Sequence, residues 1–283
     1  MNKRLLLLWI SALFLLAGTA LAACGDDDDD DDGGGGGGTD TTAAEFDTLK
    51  PGTLVVGVDV PYPPFEQGRP PDYEGFEIDL TNEIASRLGL ETEYKDTPFD
   101  TIFRDLSQNK FDAAVAGSTI LPEREKAVDF GDPWASTEQS LLVQQGSGIE
   151  TLDDVEGKTV GVQKGTTGED YARENADAGD LRSYPEIDDA FNALVAGQVD
   201  AVVFDLTGTE EAAEKLDGLE VVDRYDTGEY LAIAFAEEND VLREAANEII
   251  SAMKTDGTIE QAYQEWLGTA PPQEVLEKTN TPK

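Results

Sequence analysis

The sequence predicts an α/β body of two lobes, each a mostly parallel sheet flanked by helices. Three observations carry this. From Phe46 onward, short β-rich apolar runs alternate with segments of helical periodicity. A helix-plus-strand unit recurs at a fixed spacing. The 283 residues suffice for two compact lobes.

Taken in order, TLVVGVD (53–59) is an apolar strand ending in an acid. In GFEIDLTNEIASRLG, Leu80, Ile84 and Leu88 fall at helical spacing and Gly89 supplies a stop. FDTIFRDL places Phe99, Ile102, Phe103 and Leu106 on one helical face, and FDAAVAG then reads as a buried strand. KTVGVQ, YPEIDDAFNALVAG, VDAVVFD and LEVV repeat the theme. Residues 236–254 and 258–266 predict closing helices, and APPQEVLEKTNTPK reads as a loose tail.

The internal echo is specific. At a constant offset of 88, Phe103 falls on Phe191, Leu106 on Leu194, Asp112 on Asp200 and Val115 on Val203. Gly117 then falls on Asp205 and Thr119 on Thr207. Each copy is a helix feeding a buried strand whose carboxyl end opens into polar residues. Ligands of open α/β sheets bind beyond strand carboxyl ends, so two such units predict two lobes facing one cleft.

Composition narrows the function. The formal charge is -40 and the pI about 4.1, which argues against nucleic acid, whose phosphates need clustered Lys and Arg. With His 0 in the sequence, the commonest general base, the Ser-His-Asp relay and imidazole metal sites are all excluded. The acid clusters lack calcium-loop spacing, so no metal and no cofactor are expected. The amino terminus has Lys3 and Arg4, an apolar run from Leu5 to Leu16 and small residues before Cys24, the pattern of a cleaved secretory leader over 1–23. LAAC resembles a bacterial lipobox, which implies lipid on Cys24, the sole cysteine. The Asp/Gly-rich stretch 24–45 cannot bury anything and reads as an extended tether. The expected location is therefore extracytoplasmic, at a membrane face.

Several residues are placed to carry chemistry. Arg124 follows the 113–117 strand, beyond Thr119, and offers a planar fork matching a carboxylate. A pairing with Glu123 or Asp129 would explain it equally well. Asp205 ends the apolar strand AVVFD, and is either a helix cap or the acceptor for an ammonium. Thr166 and Glu169 fit a capping box, and the amides of Gly165 to Thr167 suit an anion. Asp59, Tyr62 and Phe65 follow the first strand, and Phe99 opens a helix; aromatics there either pack the core or sandwich an apolar stem.

Together, YPPFE, GFEIDL, the pattern Gly117, Thr119, Glu123, Arg124, then VDFGDPW, GTT and VDAVVFD resemble the family 3 extracellular solute-binding proteins. These are polar amino-acid receptors of ABC importers, and the resemblance spans about 49–267. It implies the two-lobed periplasmic-binding-protein fold of type II, with hinges near 141–145 and 227–232. Lobe 1 would comprise 46–142 plus 231–268, lobe 2 143–230, and 269–283 a flexible tail. It implies Arg124 and Thr119 on an α-carboxylate, helped by Thr166 and Thr167. Asp205 and the Gly117 carbonyl would take the α-ammonium, Tyr62 and Phe99 would flank the side chain, and Asp59 would line its pocket. A monomer delivering a free L-amino acid to a membrane permease is expected, not an enzyme. The alternatives are a ligand sensor for a membrane signalling protein and a cyclohexadienyl-dehydratase-like enzyme using Asp59 or Glu66. Trp134 and ASTEQS depart from a tyrosine-rich run usual in the family, which leaves that side of the pocket open.

Overall fold

The computed structural model describes residues 46–280. The expected leader, Cys24 and the tether lie outside the described residues, as do Thr281 to Lys283. Twelve strands and eight α-helices follow in chain order: β1 Thr53–Val58, β2 Gln67–Arg69, β3 Asp72–Glu74, α1 Phe76–Arg87, β4 Glu91–Asp96, α2 Phe99–Ser107, β5 Ala113–Ala114, β6 Val128–Phe130, β7 Ala135–Gln144, β8 Thr159–Gln163, α3 Thr167–Asn175, β9 Asp180–Tyr184, α4 Ile187–Val195, β10 Ala201–Asp205, α5 Leu206–Lys215, β11 Leu219–Leu231, β12 Ala234–Ala236, α6 Asp240–Asp256, α7 Thr258–Ala262 and α8 Gln273–Glu277.

Two five-stranded sheets result, in the orders β4-β1-β5-β12-β6 and β11-β7-β10-β8-β9, beside a β2-β3 hairpin. In each sheet four strands point the same way and one, β12 in the first and β7 in the second, runs antiparallel between two of them. The pleat sorts the apolar run of β1 to two faces. Leu54, Val56 and Val58 point into the larger core, while Val55 packs on the α2 side with Ile102 and Leu106. The second sheet does the same, with Leu142 and Val202 on one face and Leu141, Val143 and Val203 on the other. Gly57 is obligatory in β1, because a Cβ there would lie 2.6 Å from the Phe111 ring.

The sequence echo is realised element for element. Helix α2 begins at Phe99 and α4 at Ile187, and β5 begins at Ala113 and β10 at Ala201, all at the same spacing. The repeated aspartates do the same work. Asp112 Oδ2 accepts the Val55 amide at 2.8 Å, and Asp200 Oδ2 accepts the Thr159 amide at 2.8 Å. Each clamps the start of its strand to the parallel neighbour.

Four expectations need correction. FDAAVAG supplies only a two-residue strand; Val115 N still bonds Gly57 O at 2.9 Å, but Gly117 then turns the chain at φ 54. The last long helix starts at Asp240, not at 236, because Ala234–Ala236 pairs with β5 and β6. The chain joins the second sheet at Ala135, upstream of the hinge expected at 141–145. Its crossing, Gly131 to Trp134, is tied to the return crossing by Gly131 N to Ile233 O at 2.9 Å and Trp134 N to Leu231 O at 3.1 Å. Finally, the tail is docked. Val275 on α8 is fully buried, and the Asn280 amide bonds Asp132 Oδ1 at 2.7 Å. One apolar residue and a few polar anchors suffice, a signal too sparse for periodicity to reveal.

Asp112→Ala should destabilise the body by about 1–3 kcal/mol in urea unfolding, because it strands a buried strand amide, and Asp200→Ala, whose bond is solvent-exposed, by about 0.5–1.5 kcal/mol. Ordinary surface aspartates should change it by less than about 0.5 kcal/mol.

Candidate functional site

The carboxyl ends of β1 and β10 and the amino end of α3 converge on a small cavity of about 10 Å³, room for roughly one water. All nine ligand-contact residues expected from the sequence line it: Asp59, Tyr62, Phe99, Gly117, Thr119, Arg124, Thr166, Thr167 and Asp205. Ala116, Gln163 and Phe204 complete the wall.

The lobes meet here through polar contacts. Tyr62 Oη donates to Asp205 Oδ2 at 2.9 Å, and Gln163 Nε2 donates to Asp59 Oδ2 at 2.7 Å. At the rim, Lys164 pairs with Asp100 at 2.8 Å, half exposed and so worth little. The turn at Gly117 is what admits Tyr62, since a Cβ on that glycine would lie 2.2 Å from the tyrosine ring. Beneath it, Glu77 accepts the Gly117 amide and the Trp134 indole N–H, each at 2.8 Å.

Arg124 answers to neither Glu123 nor Asp129. Its guanidinium lies 5.1 Å from the Phe99 centroid and 4.8 Å from that of Phe103. It donates only to carbonyls, Thr119 O at 2.9 Å and Gly165 O at 3.3 Å, and makes no ion pair among the described residues. Burial pushes its pKa down to about 10, opposed by the more distant Glu229, Asp205 and Asp170. The cation is thus desolvated and stacked but not neutralised.

Asp205 is the last residue of β10 and precedes α5, yet its side chain caps nothing. Its oxygens accept from Tyr62 and from Gln139 Nε2 at 2.6 Å. Burial, then the Glu229 carboxylate, raises its pKa to about 7, against the pull of Tyr62, Gln139 and Arg124. Asp59 is raised further, to about 8, by burial and then by Glu186. Thr166 does cap α3, accepting the Glu169 amide at 3.2 Å, while Glu169 accepts the Gly165 amide at 2.7 Å. Thr119 Oγ1 is taken by Glu229 Oε2 at 2.8 Å.

Four participants escaped sequence reasoning. Gln139 sits within ASTEQS, the segment already singled out as unusual, and faces Asp205 across the β7–β10 pairing. Gln163 closes β8, Glu229 lies on the polar strand β11, and Glu186 precedes α4; only proximity in space links them. Among the described residues, no group of three or more metal-ligating side chains gathers, and no helix is long and apolar enough to cross a membrane.

A two-lobed shell with a half-buried, unpaired cation on one side and a buried acid on the other defines a solute-binding site. Residues 54–269 match the bacterial extracellular solute-binding proteins, family 3, and the chain belongs to that family. It is 33% identical over 221 residues to the L-cystine-binding protein TcyJ of Escherichia coli K12, covering 77% of this chain and 83% of that protein. Its fold matches an ancestral arginine-binding protein bound to glutamine at a TM-score of 0.74 and 36% identity, covering 77% and 99% of the two chains. It also matches an ancestral amino acid-binding protein, a precursor of cyclohexadienyl dehydratase, at a TM-score of 0.70 and 35% identity, covering 76% and 95%.

The raised acids set a pH dependence. Asp59 and Asp205 titrate near 3.8 when unfolded, and at about 8 and about 7 in the fold. The folded form holds the extra protons, so the stability that these two groups contribute falls as pH rises from about 4 to about 8. Thermal melts across this range should show the fall, and Asp59→Asn and Asp205→Asn should each flatten it.

Proposed function

We propose that the protein is an extracytoplasmic receptor that binds a free L-amino acid between its lobes and delivers it to an ABC importer. The observation that carries this reading is the half-buried Arg124 guanidinium, stacked on Phe99 and Phe103 without a carboxylate partner, opposite the buried carboxyl of Asp205. A zwitterion supplies both missing charges. Its α-carboxylate would lie on Arg124, with Thr119 and the first amides of α3 around Thr166 and Thr167. Its ammonium would replace the Tyr62 hydroxyl and Gln139 amide at Asp205, beside the Gly117 carbonyl. Tyr62 and Phe99 would flank the side chain and Asp59 its end. The relatives named for L-cystine and arginine support an amino acid as the ligand.

Ligand contacts on both lobes stabilise the closed form, and the charge pairs strengthen as water leaves. Binding rather than turnover is favoured because the raised acids Asp59 and Asp205 are already engaged by amide and hydroxyl donors. The domain boundaries proposed for such a receptor follow the sheets, with the first lobe returning at β12. The leader and Cys24 suit a lipid-anchored monomer on a flexible tether.

Arg124→Ala should weaken binding of the preferred amino acid by about 3–5 kcal/mol in calorimetry, since it leaves a carboxylate buried and unpaired. Near-wild-type affinity would refute the assignment. In cells, Cys24→Ser should move the protein from the membrane fraction to the soluble extracytoplasmic fraction.

A further inference from the structure

Beside the cavity, two carboxyl groups from opposite lobes confront each other: Asp59, which lines it, and Glu186. Asp59 follows β1 and is 5% exposed. Its Oδ2 accepts from Gln163, but Oδ1, equally buried, has no hydrogen-bond partner. Glu186 precedes α4 without capping it, and its Oε2 is likewise buried and unpartnered. Gln163 joins the two regions, because Nε2 that holds Asp59 also donates to Pro185 O at 3.2 Å.

The surroundings offer no relief. Asp96 at the end of β4 and Glu66 after Phe65 bear on Asp59, and Asp96, Asp188 and Asp189 bear on Glu186; all are acids. A cation, Lys215 on α5, bears on Asp188, but Lys215 is itself paired with Glu211. Two ionised carboxylates here would repel across a dry gap, so the pair keeps one proton between them. Burial raises both acids, but each one's influence on the other raises Asp59 and lowers Glu186, which places that proton on Asp59. Two orphaned oxygens, one on the cavity-lining Asp59 and one on its neighbour Glu186, are a built acceptor for a donor that carries positive charge.

We propose that the ligand is an amino acid with a cationic side-chain end, and that this cation replaces the proton shared by Asp59 and Glu186. The inference rests on the amino-acid reading above and specifies the substrate class. When the cation arrives, the carboxyl pair gives one proton to solvent and passes from one negative charge to two. An aliphatic stem between Tyr62 and Phe99 would connect the two charged ends. A neutral side chain leaves the proton in place and gains only a hydrogen bond.

The test is calorimetry of the mature protein with L-arginine and with L-citrulline, its uncharged near-isostere, in two buffers of different ionisation enthalpy at about pH 6.5. Asp205 also holds a proton and meets the ammonium of every amino acid, so citrulline sets the baseline. Arginine should release about one proton more than citrulline, and its affinity advantage should rise about tenfold per pH unit between about pH 6 and 7.5. Glu186→Gln should abolish the excess proton release and flatten that slope. Equal proton release by the two ligands, or binding of citrulline as tightly as arginine at every pH, overturns the inference and leaves the receptor reading standing. Absence of binding by arginine, citrulline, glutamine and cystine alike overturns both.

Discussion

The site depends on one unneutralised charge. In a chain with 60 acids against 20 bases, almost any arginine side chain finds a carboxylate. Arg124 does not, and its position explains why. It follows the Gly117 turn, and its planar group slides between Phe99, Phe103 and the carbonyls of Thr119 and Gly165. Aromatic faces and carbonyl dipoles hold a guanidinium without cancelling its field. The charge is therefore kept available at modest cost, whereas a salt-bridged arginine would have to break its own pair before meeting a ligand.

The opposite wall solves the mirror problem with protons. Asp59 and Asp205 are both held near neutrality by burial and by neighbouring acids. Each is engaged by a neutral donor, an amide or a phenol, that a ligand cation can outbid. A chain without histidine thus acquires groups that titrate in the neutral range, built from carboxyls and low dielectric. The same burial that makes them responsive makes them a stability liability above their folded pKa values, so the binding site and the fold pull in different directions.

Much of this was legible before the structure. The helix-plus-strand echo works because both copies have the same apolar spacing and the same clamping aspartate, Asp112 and Asp200. The cavity's nine expected residues cluster at strand ends and turns, where glycines, threonines and charged residues interrupt apolar runs. What was not legible has a common cause. Gln139, Gln163, Glu186 and Glu229 lie on otherwise ordinary polar segments, and their meaning arises only when the lobes oppose one another. Strand β11 hid for a related reason: an edge strand half in water has no continuous apolar signature beyond Leu219–Val222. The docked tail hid because its apolar anchor is a single fully buried residue, Val275, with Leu276 packed beside the core.

That tail runs beside the crossings. Asn280 grips Asp132 through its amide and the Phe130 carbonyl through Nδ2, immediately before the Gly131–Trp134 passage, and Lys278 O takes a bond from Lys254 Nζ at 2.7 Å. The segment ending at Asn280 is thereby splinted to the first sheet and to α6. Lys278 Nζ also lies 4.1 Å from the ring of Tyr230 on β11, so one short segment touches both sheets where the chain crosses between them.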